Sequence, residues 1–346
     1  MKSIIQSFAA ILFLSYPLLS FAGKENTFYI LHSKDPAELS IYLDTVKRNY
    51  RSIHILISQA YKIDGEGNLS GYLNQELVDL AKKHSIKLMA MITNGSFDQL
   101  KAHQFLSSAE AQKNAINSII DICKKYHLYG VQFDFENISV DDKNELTKFY
   151  KKAAGELHQH GYKVSFAIIP AFPEQMKDSS FLKKTWQNWS GAYDLKSLGE
   201  YSDFVTVMAY NQHPDGTIPG PNASIGFTSE SVNNALKEIP ASKLSLGIPA
   251  YSLYWYSGHH SIPVRQAEIS YKHAISIIKK NNSSITWSQK DKVNFSRYEH
   301  NWLNEYVYLE DKHSFKAKQD LVKKFGLRGI SVFRIGTEDS GIWEKI

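Results

Sequence analysis

The sequence predicts an α/β fold, a closed (β/α)8 barrel with a small α+β insertion after the seventh strand. Three observations support this architecture. Eight short apolar runs are spaced along the chain, most are followed by a longer segment of helical periodicity, and no linker, repeat or low-complexity tract divides the sequence. Alternating patterns of this kind predict parallel βα units, and eight such units close into a barrel.

The eight apolar runs are the predicted barrel strands. Each is short and rich in β-branched or aromatic residues, as strands covered on both faces are. In chain order they are Thr27–Leu31, Ser52–Ser58, Ile86–Thr93, Gly130–Glu136, Lys163–Ile169, Phe204–Tyr210, Leu244–Tyr251 and Gly329–Ile335.

The segments between these runs contain helix start and stop signals. Cys123 lies on the apolar stripe of the helix before the fourth strand, so we expect it in the core and not as a nucleophile. N-caps followed three residues later by glutamate, and glycines that favour a left-handed residue after a helix, predict starts at Asp35, Ser107 and Asp142 and ends at Gly161 and Gly326.

The regular spacing breaks after the seventh strand. Residues Ser252–Tyr306 are too many and too aromatic for a bare loop. We expect an insertion at about 252–306 with a helix near Glu268–Lys280 and short strands at Ile285–Trp287 and Tyr306–Leu309.

Residues 1–22 have the pattern of a secretory signal peptide. Lys2 precedes an apolar run, and Ser20-Phe21-Ala22 places small residues before a cut at Gly23. No later stretch reaches the roughly 20 apolar residues of a membrane span. We expect a secreted or periplasmic monomer that is not membrane-bound after cleavage, with residues 23–346 forming one catalytic domain.

Composition narrows the class of partner. The formal net charge is +5 and the lysines are scattered, which does not indicate a nucleic-acid surface. A single cysteine excludes an intrachain disulfide, so a chain that is 43% hydrophobic depends on its core. The 13 histidines lack acidic partners at ligand spacing. We expect neither a metal nor a cofactor.

The fourth predicted strand places acidic side chains on an otherwise apolar segment. Gln132, Asp134 and Glu136 alternate with apolar residues, so the three polar side chains share one face. In a strand covered by helices, that face reaches solvent only at the end of the barrel, where active sites lie. The carboxyl pair indicates acid/base chemistry, although a buried pair neutralised by basic neighbours would show the same pattern.

This strand resembles the signature of family 18 glycoside hydrolases, Asp-Gly-x-Asp-x-Asp-x-Glu. Here it reads Tyr-Gly-Val-Gln-Phe-Asp-Phe-Glu. The resemblance implies that Glu136 is the general acid and that Asp134 positions the substrate acetamide. Tyr129 and Gln132 replace the first two aspartates, which changes the groups behind the pair, and Gln132 is a candidate substrate-binding residue.

Two further strands resemble the same family. The sixth resembles its Met-x-Tyr-Asp strand, which implies that Tyr210 donates to the substrate N-acetyl oxygen, with Met208 and Asn211 beside it. Asn211 replaces the usual aspartate, and a neutral amide raises the pKa of the general acid less than a carboxylate. Phe333 lies where most members have an indole under the sugar. The likeness is closest to the branch with cell-wall and spore-cortex N-acetylglucosaminidases.

Four more residues are candidates for substrate contact because they lie at predicted strand ends, where barrel loops meet substrate. Each could equally be a capping or packing residue. They are Gln59, Tyr61, Asn94 and Tyr251.

The resemblance implies an exported glycosidase that cleaves β-1,4-linked N-acetylglucosamine polymers with retention, using the substrate's own acetamide as nucleophile. Chitin oligomers and the glycan of peptidoglycan both stay open as substrates. One alternative is a barrel that binds such polysaccharides without turnover, which the joint presence of Asp134, Glu136 and Tyr210 argues against. The other is a metal-dependent polysaccharide deacetylase, which would need a His/Asp ligand cluster.

Overall fold

The computed structural model describes residues 24–172, 179–257, 264–300 and 302–346. The predicted signal peptide, residues 1–22, lies outside the described residues. Within the described ranges, no helix is both long and apolar enough to cross a membrane.

The strands of the described residues form a nine-stranded and a five-stranded sheet. In chain order they are β1 (Glu25–Leu31), β2 (Ile55–Ile63), β3 (Leu69–Gly71), β4 (Lys87–Thr93), β5 (Gly130–Asp134), β6 (Lys163–Ile168), β7 (Phe204–Val207), β8 (Leu244–Pro249), β9 (Ser252–Ser257), β10 (Val264–Ile269), β11 (Thr286–Ser288), β12 (Val293–His300), β13 (Leu303–Leu309) and β14 (Gly329–Phe333).

The predicted (β/α)8 barrel is confirmed. Its eight parallel strands follow the order β1-β2-β4-β5-β6-β7-β8-β14, and β1 pairs with both β2 and β14, which closes the sheet. The short β3 adds to β2 as an antiparallel edge. Because all eight strands run in one direction, their carboxyl ends meet at one mouth, where the site is expected.

Several barrel strands end earlier than the sequence predicts. The fourth ends at Asp134 and not at Glu136, and the sixth ends at Val207 and not at Tyr210. The alternating apolar pattern continues past the last ladder hydrogen bond, because the residues beyond it still pack against the mouth of the barrel. Glu136 and Tyr210 therefore lie on the loops that leave the strands, and Asp134 is the last residue of β5.

The helices cover the barrel and the second sheet. Gly161 and Gly326 follow α5 and α10 with φ angles of 83° and 63°, as predicted. The helices are α1 (Pro36–Asn49), α2 (Gln75–Lys83), α3 (Gln99–Ser107), α4 (Ala109–Tyr126), α5 (Lys143–Gln159), α6 (Ser180–Trp189), α7 (Leu195–Tyr201), α8 (Ile225–Ala235), α9 (Tyr271–Lys280) and α10 (Lys312–Lys324).

The three predicted N-caps have different outcomes. Asp35 caps α1 as expected, since its carboxylate accepts from a backbone N–H of the first turn. The N-cap predicted at Ser107 is one residue too early, because Ser108 caps α4. Asp142 precedes α5 but makes no side-chain cap bond, because its carboxylate pairs with the His103 ring at 2.7 Å.

Two apolar layers support the barrel. The outer layer, between strands and helices, includes Phe133 of β5 and Phe135 just after it, both packed on Phe149 of α5 with ring centroids 5.6 and 5.7 Å from Phe149. Cys123 is fully buried in this layer, as predicted. The barrel interior is filled by Tyr29, Ile55, Ile57, Met89, Met91 and Phe204.

The second sheet has the order β10-β9-β13-β12-β11 with antiparallel neighbours. On one face, Ala274 and Ile278 of α9 belong to the same apolar cluster as Val307 of β13. On the other face, Trp255 clusters with Tyr251 at the barrel mouth. Only two of these five strands, β11 and β13, are predicted from the sequence. β10 and β12 mix polar and apolar residues too evenly to be distinguished from loop, and the aromatic β9 begins only three residues after the end of β8.

A buried ion pair joins the second sheet to the barrel. Lys318 Nζ of α10 lies 2.7 Å from Glu310 Oε2, directly after β13, and both side chains are at most 2% exposed. Ser314 Oγ donates to the same carboxylate at 2.8 Å, and the Glu310 backbone N–H donates to Ser252 Oγ at 3.1 Å. Buried charges persist only when paired, so this junction fixes the sheet beside the mouth.

Candidate active site

The acidic pair lies where β5 leaves the barrel. Asp134 is the last strand residue and is 4% exposed, whereas Glu136 is two residues further on and partly exposed. The intervening Phe135 is fully buried in the outer layer and anchors the segment. Alternation therefore directs Asp134 inward and Glu136 toward the mouth, as the sequence predicts.

Two side chains hold the backbone around Glu136. Asn94, directly after β4, donates through Nδ2 to Glu136 O at 2.8 Å and accepts the Glu136 N–H on Oδ1 at 3.0 Å. The Tyr193 hydroxyl donates to Phe135 O at 2.8 Å. Both amide atoms of Asn94 are thus used by the protein. The expectation that Asn94 binds substrate is revised, and we place it as a support of Glu136.

Burial dominates the electrostatics of the pair. It raises the pKa of Asp134 well above its usual value, and the charge and hydrogen bond of Glu136 raise it further. Burial also raises the pKa of Glu136 to about 7, while the hydrogen bond from Asp134 opposes this rise. Two carboxyl groups in contact titrate as a unit, and here both burial and the mutual contact favour protonated forms of the pair.

A neutral hydrogen-bond network crosses the barrel below the pair. The Tyr29 hydroxyl donates to Gln132 Oε1 at 2.8 Å, and Gln132 Nε2 donates to Ser165 Oγ at 2.8 Å and to Thr206 Oγ1 at 3.3 Å. The network continues from Thr206 to Ser331 at 3.0 Å. Gln132 is fully buried and its amide is satisfied by protein, so its assignment as a substrate contact is revised.

Aromatic rings form the floor of the mouth. The rings of Tyr210 and Phe333 stack with centroids 5.7 Å apart and planes 16° apart, and Tyr251 meets both edge-on at 6.4 and 6.1 Å. Tyr210 and Phe333 are partly exposed. Gly247 of β8 makes room for this arrangement, because a Cβ there would lie 3.1 Å from the Tyr210 ring and 2.4 Å from Val207 O.

Tyr251 and Asn211 fix the loop after β7. The fully buried Tyr251 donates its hydroxyl to Asn211 Oδ1, and Asn211 has a positive φ of 57°. Asn222 bonds both residues, since its Oδ1 accepts the Asn211 N–H at 2.9 Å and its Nδ2 donates to Tyr251 O at 3.1 Å. Met208, in the same segment, is partly exposed at the mouth.

The two candidates on β2 lie on opposite faces. Gln59 continues the inward row of Ile55 and Ile57 and is partly exposed at the mouth. A β-bulge between Gln59 and Tyr61 turns Tyr61 outward, where it packs in the outer layer. Burial, followed by the neighbouring Tyr126, raises the pKa of Tyr61. The prediction that Tyr61 contacts substrate is therefore wrong, because a bulge shifts the alternation by one residue.

The structure also adds residues that sequence reasoning missed. Tyr29 supports Gln132, Tyr193 supports Phe135, and Asn222 joins Asn211 to Tyr251. None lies near the acidic pair in sequence, and Tyr193 and Asn222 follow no periodic signal. Only the inward position of Tyr29 on the first predicted strand could have drawn attention to it.

Both the sequence and the fold match known proteins. The model of glycosyl hydrolases family 18 matches residues 18–338. A Bacillus subtilis protein named uncharacterized glycosylase YvbX is 25% identical over 310 residues, which cover 88% of this chain and 86% of that protein. The cortical fragment-lytic enzyme of Bacillus subtilis is 28% identical over 77% of this chain, and this chain spans 61% of that enzyme.

Solved structures share the fold. The spore cortex-lytic enzyme SleL of Bacillus megaterium superposes with a TM-score of 0.80 at 24% identity, over 93% of this chain and 73% of that one. A group IV chitinase of Ostrinia furnacalis gives a TM-score of 0.72 at 16% identity, over 91% and 93% of the two chains. With the family match covering nearly all of the sequence, this chain belongs to family 18 of the glycosyl hydrolases and is a glycosidase.

Proposed function

We propose that this protein hydrolyses β-1,4-linked polymers containing N-acetylglucosamine, with retention of configuration and with Glu136 as general acid and base. The observation that carries the proposal is the contact between the Asp134 and Glu136 carboxyl groups at the barrel mouth. It supplies an acid with a pKa of about 7 beside a second carboxyl group that hydrogen-bonds to it.

The closeness of the two carboxyl groups bears on the mechanism. Glycosidases that use two carboxylates hold them about 5–5.5 Å apart when retaining and about 6.5–9.5 Å apart when inverting. A pair in hydrogen-bond contact fits neither spacing. Family 18 is a recognised exception, in which the 2-acetamido oxygen of the substrate attacks the anomeric carbon, and the contact supports the same route here.

Each residue then has a defined role. Glu136, with a pKa of about 7, protonates the leaving glycosidic oxygen and afterwards activates water. Asp134 and Tyr210 hold the acetamide, with the buried Asp134 carboxyl group accepting its amide N–H. Fixing the attacking oxygen makes the step intramolecular, with effective molarities that can reach about 10⁵–10⁸ M. Phe333 supports the sugar that is attacked.

The relatives support the substrate class. One is named a cortical fragment-lytic enzyme, and one of the structural neighbours is a chitinase. We propose that chitin oligomers and peptidoglycan glycan both fit the class, and that residues 1–22 direct the protein out of the cytoplasm. Gln59 and Met208 are proposed as further contacts, because both are partly exposed at the mouth.

The test compares products and variants. The purified protein is incubated with chitin tetramer, peptidoglycan and a β-1,4-glucose oligomer, and NMR records the anomer first released. We expect β-anomer from the acetamido substrates and no cleavage of the glucose oligomer. Glu136→Gln should bind chitin tetramer but lose nearly all turnover, and Asp134→Asn should be severely impaired.

Two outcomes would contradict the proposal. An inverted product, or rapid cleavage of the glucose oligomer, would require another nucleophile or base. Tight binding of the tetramer by the unmodified protein without turnover would identify a binding barrel that has lost catalysis.

A further inference from the structure

Arg334 follows Phe333 at the end of β14 and lies beside the aromatic floor. Its guanidinium carbon is 5.5 Å from the Phe333 ring centroid and 6.0 Å from that of Tyr251. Nη1 donates to Glu268 Oε2 on β10 at 3.2 Å, and 21% of the side chain is exposed. A cation is thus held at the edge of the surface proposed to support the sugar.

The protein uses the Arg334 guanidinium only in part. Arginine has five N–H donors. The contact to Glu268 uses Nη1, and Nε is buried with no hydrogen-bond partner. A second carboxylate near Arg334 is that of Glu38 of α1, which already accepts from Ser33 and Tyr42. Because only Nη1 of the guanidinium is paired with Glu268, the group retains N–H donors for a further anion.

The two candidate substrates differ in the group that such a cation would recognise. Chitin is uncharged along its length. In peptidoglycan, every second sugar is an N-acetylmuramyl unit whose lactyl ether ends in a carboxyl group, which is either free or joined to a peptide stem with carboxylates of its own. Arginine matches a carboxylate in shape and charge.

We propose that Arg334 binds a carboxylate on the glycan, and that this contact makes the site prefer acidic, muramyl-containing glycan over chitin. The inference rests on the proposed function, because it assumes that Phe333 supports a sugar of the same chain. The neighbouring sugar then places its acidic substituent over the exposed edge of the guanidinium. Glu268 is 36% exposed and orients Arg334 from the other side.

A purely structural role for Arg334 predicts something different. The ion pair with Glu268 also joins β14 of the barrel to β10 of the second sheet. If that were its only role, breaking the pair from either side would have the same effect on every substrate. Glu268→Gln is therefore the matched control, because it removes the same ion pair and leaves the guanidinium in place.

The experiment measures kcat/KM on three oligosaccharides of equal length, and the affinity of each in a Glu136→Gln background by calorimetry. The first is chitin tetramer, the second has free lactyl carboxylates, and the third has those carboxyls converted to methylamides. A stem-bearing glycan is the fourth arm and separates stem carboxylates from lactyl ones. Each is tested with Arg334→Gln and with Glu268→Gln.

We expect Arg334→Gln to reduce the preference for the acidic oligosaccharide over its methylamide at least about tenfold, the scale of a lost hydrogen bond to a charged group. Glu268→Gln should preserve or increase that preference, and added salt should weaken it. A loss confined to the stem-bearing glycan would support the contact and assign it to the peptide.

Equal losses on all substrates, or the same loss in both variants, would overturn the inference and leave Arg334 as a structural tie. If no substrate is hydrolysed, the proposed function fails, yet the affinities in the Glu136→Gln background still decide this inference. An unchanged affinity ratio between the acidic and methylamide oligosaccharides in Arg334→Gln would then reject it.

Discussion

The side-chain amide of Asn94 hydrogen-bonds both the N–H and the C=O of Glu136, at 3.0 and 2.8 Å. The residue that the sequence presents as a substrate contact thus acts on the general acid through its backbone. Because β5 has already ended at Asp134, no ladder bond fixes Glu136, and this pair of bonds replaces it.

Asn94→Ala should therefore lower kcat on chitin tetramer more than it changes KM. A misplacement of the acid by about 1 Å can cost about 100-fold in rate. The two lost bonds should also reduce the free energy of unfolding by about 1–3 kcal/mol. Steady-state kinetics and urea denaturation measure the two effects. A large rise in KM with unchanged kcat would return Asn94 to the substrate-binding surface.

Activity should fall at alkaline pH. Glu136 must be protonated to act as the acid, and burial raises its pKa to about 7, so kcat/KM should decrease about tenfold per pH unit above that value. The pH profile of kcat/KM measures this limb. As a control, the affinity of Glu136→Gln for chitin tetramer should not fall over the same alkaline pH range. A wild-type profile that stays flat to pH 9 would contradict the assignment.

Glu136→Gln should be more stable than the unmodified protein at pH 8. A carboxyl whose pKa is raised by folding contributes its full stability below its unfolded pKa, and this contribution is lost as pH rises through about 7. The difference in the free energy of unfolding should be on the order of 2 kcal/mol at pH 8 and near zero at pH 4. Urea denaturation at the two pH values tests this. If the free energy of unfolding of the variant relative to wild type were lower at pH 8 than at pH 4, the result would be inconsistent with a buried acid.

Gly247→Ala should displace Tyr210 or the neighbouring strand and so disturb the floor of the active site. The added Cβ would lie 2.4 Å from Val207 O and 3.1 Å from the Tyr210 ring, so the strand or the ring must move. We expect a loss of about 1–3 kcal/mol in stability together with reduced kcat. Gly155→Ala on α5 is the control, since nothing lies within 4 Å of its Cβ, and it should stabilise by about 0.4–1 kcal/mol. Full activity in Gly247→Ala would indicate that the position of Tyr210 does not matter for catalysis.

Phe333→Ala should raise KM for chitin oligomers and also lower stability by up to about 3 kcal/mol, because the ring packs on Tyr29, Tyr210 and Tyr251. Phe333→Trp should be tolerated and should bind oligomers at least as well. Calorimetric affinities and melting temperatures separate the two roles. If Phe333→Ala bound oligomers normally but melted early, the ring would serve only the core.

Local patterns account for what the sequence predicted well. The eight barrel strands follow from short apolar runs, and the inward row of Gln132 and Asp134 follows from period-two alternation, which each strand imposes on itself. The strands of the second sheet are largely missed, because β10 and β12 are defined by their pairing partners and not by their own composition.

The sequence alone determined the barrel, the acidic pair and the family resemblance, because each depends on residues close together along the chain. Only the tertiary structure decided which candidates reach the mouth. A bulge that exists through pairing with β4 turned Tyr61 away, partners from distant strands saturated Gln132, and Asn94 met Glu136 across neighbouring strands. These roles depend on which groups are left unpaired after folding, and that depends on contacts between residues far apart in sequence.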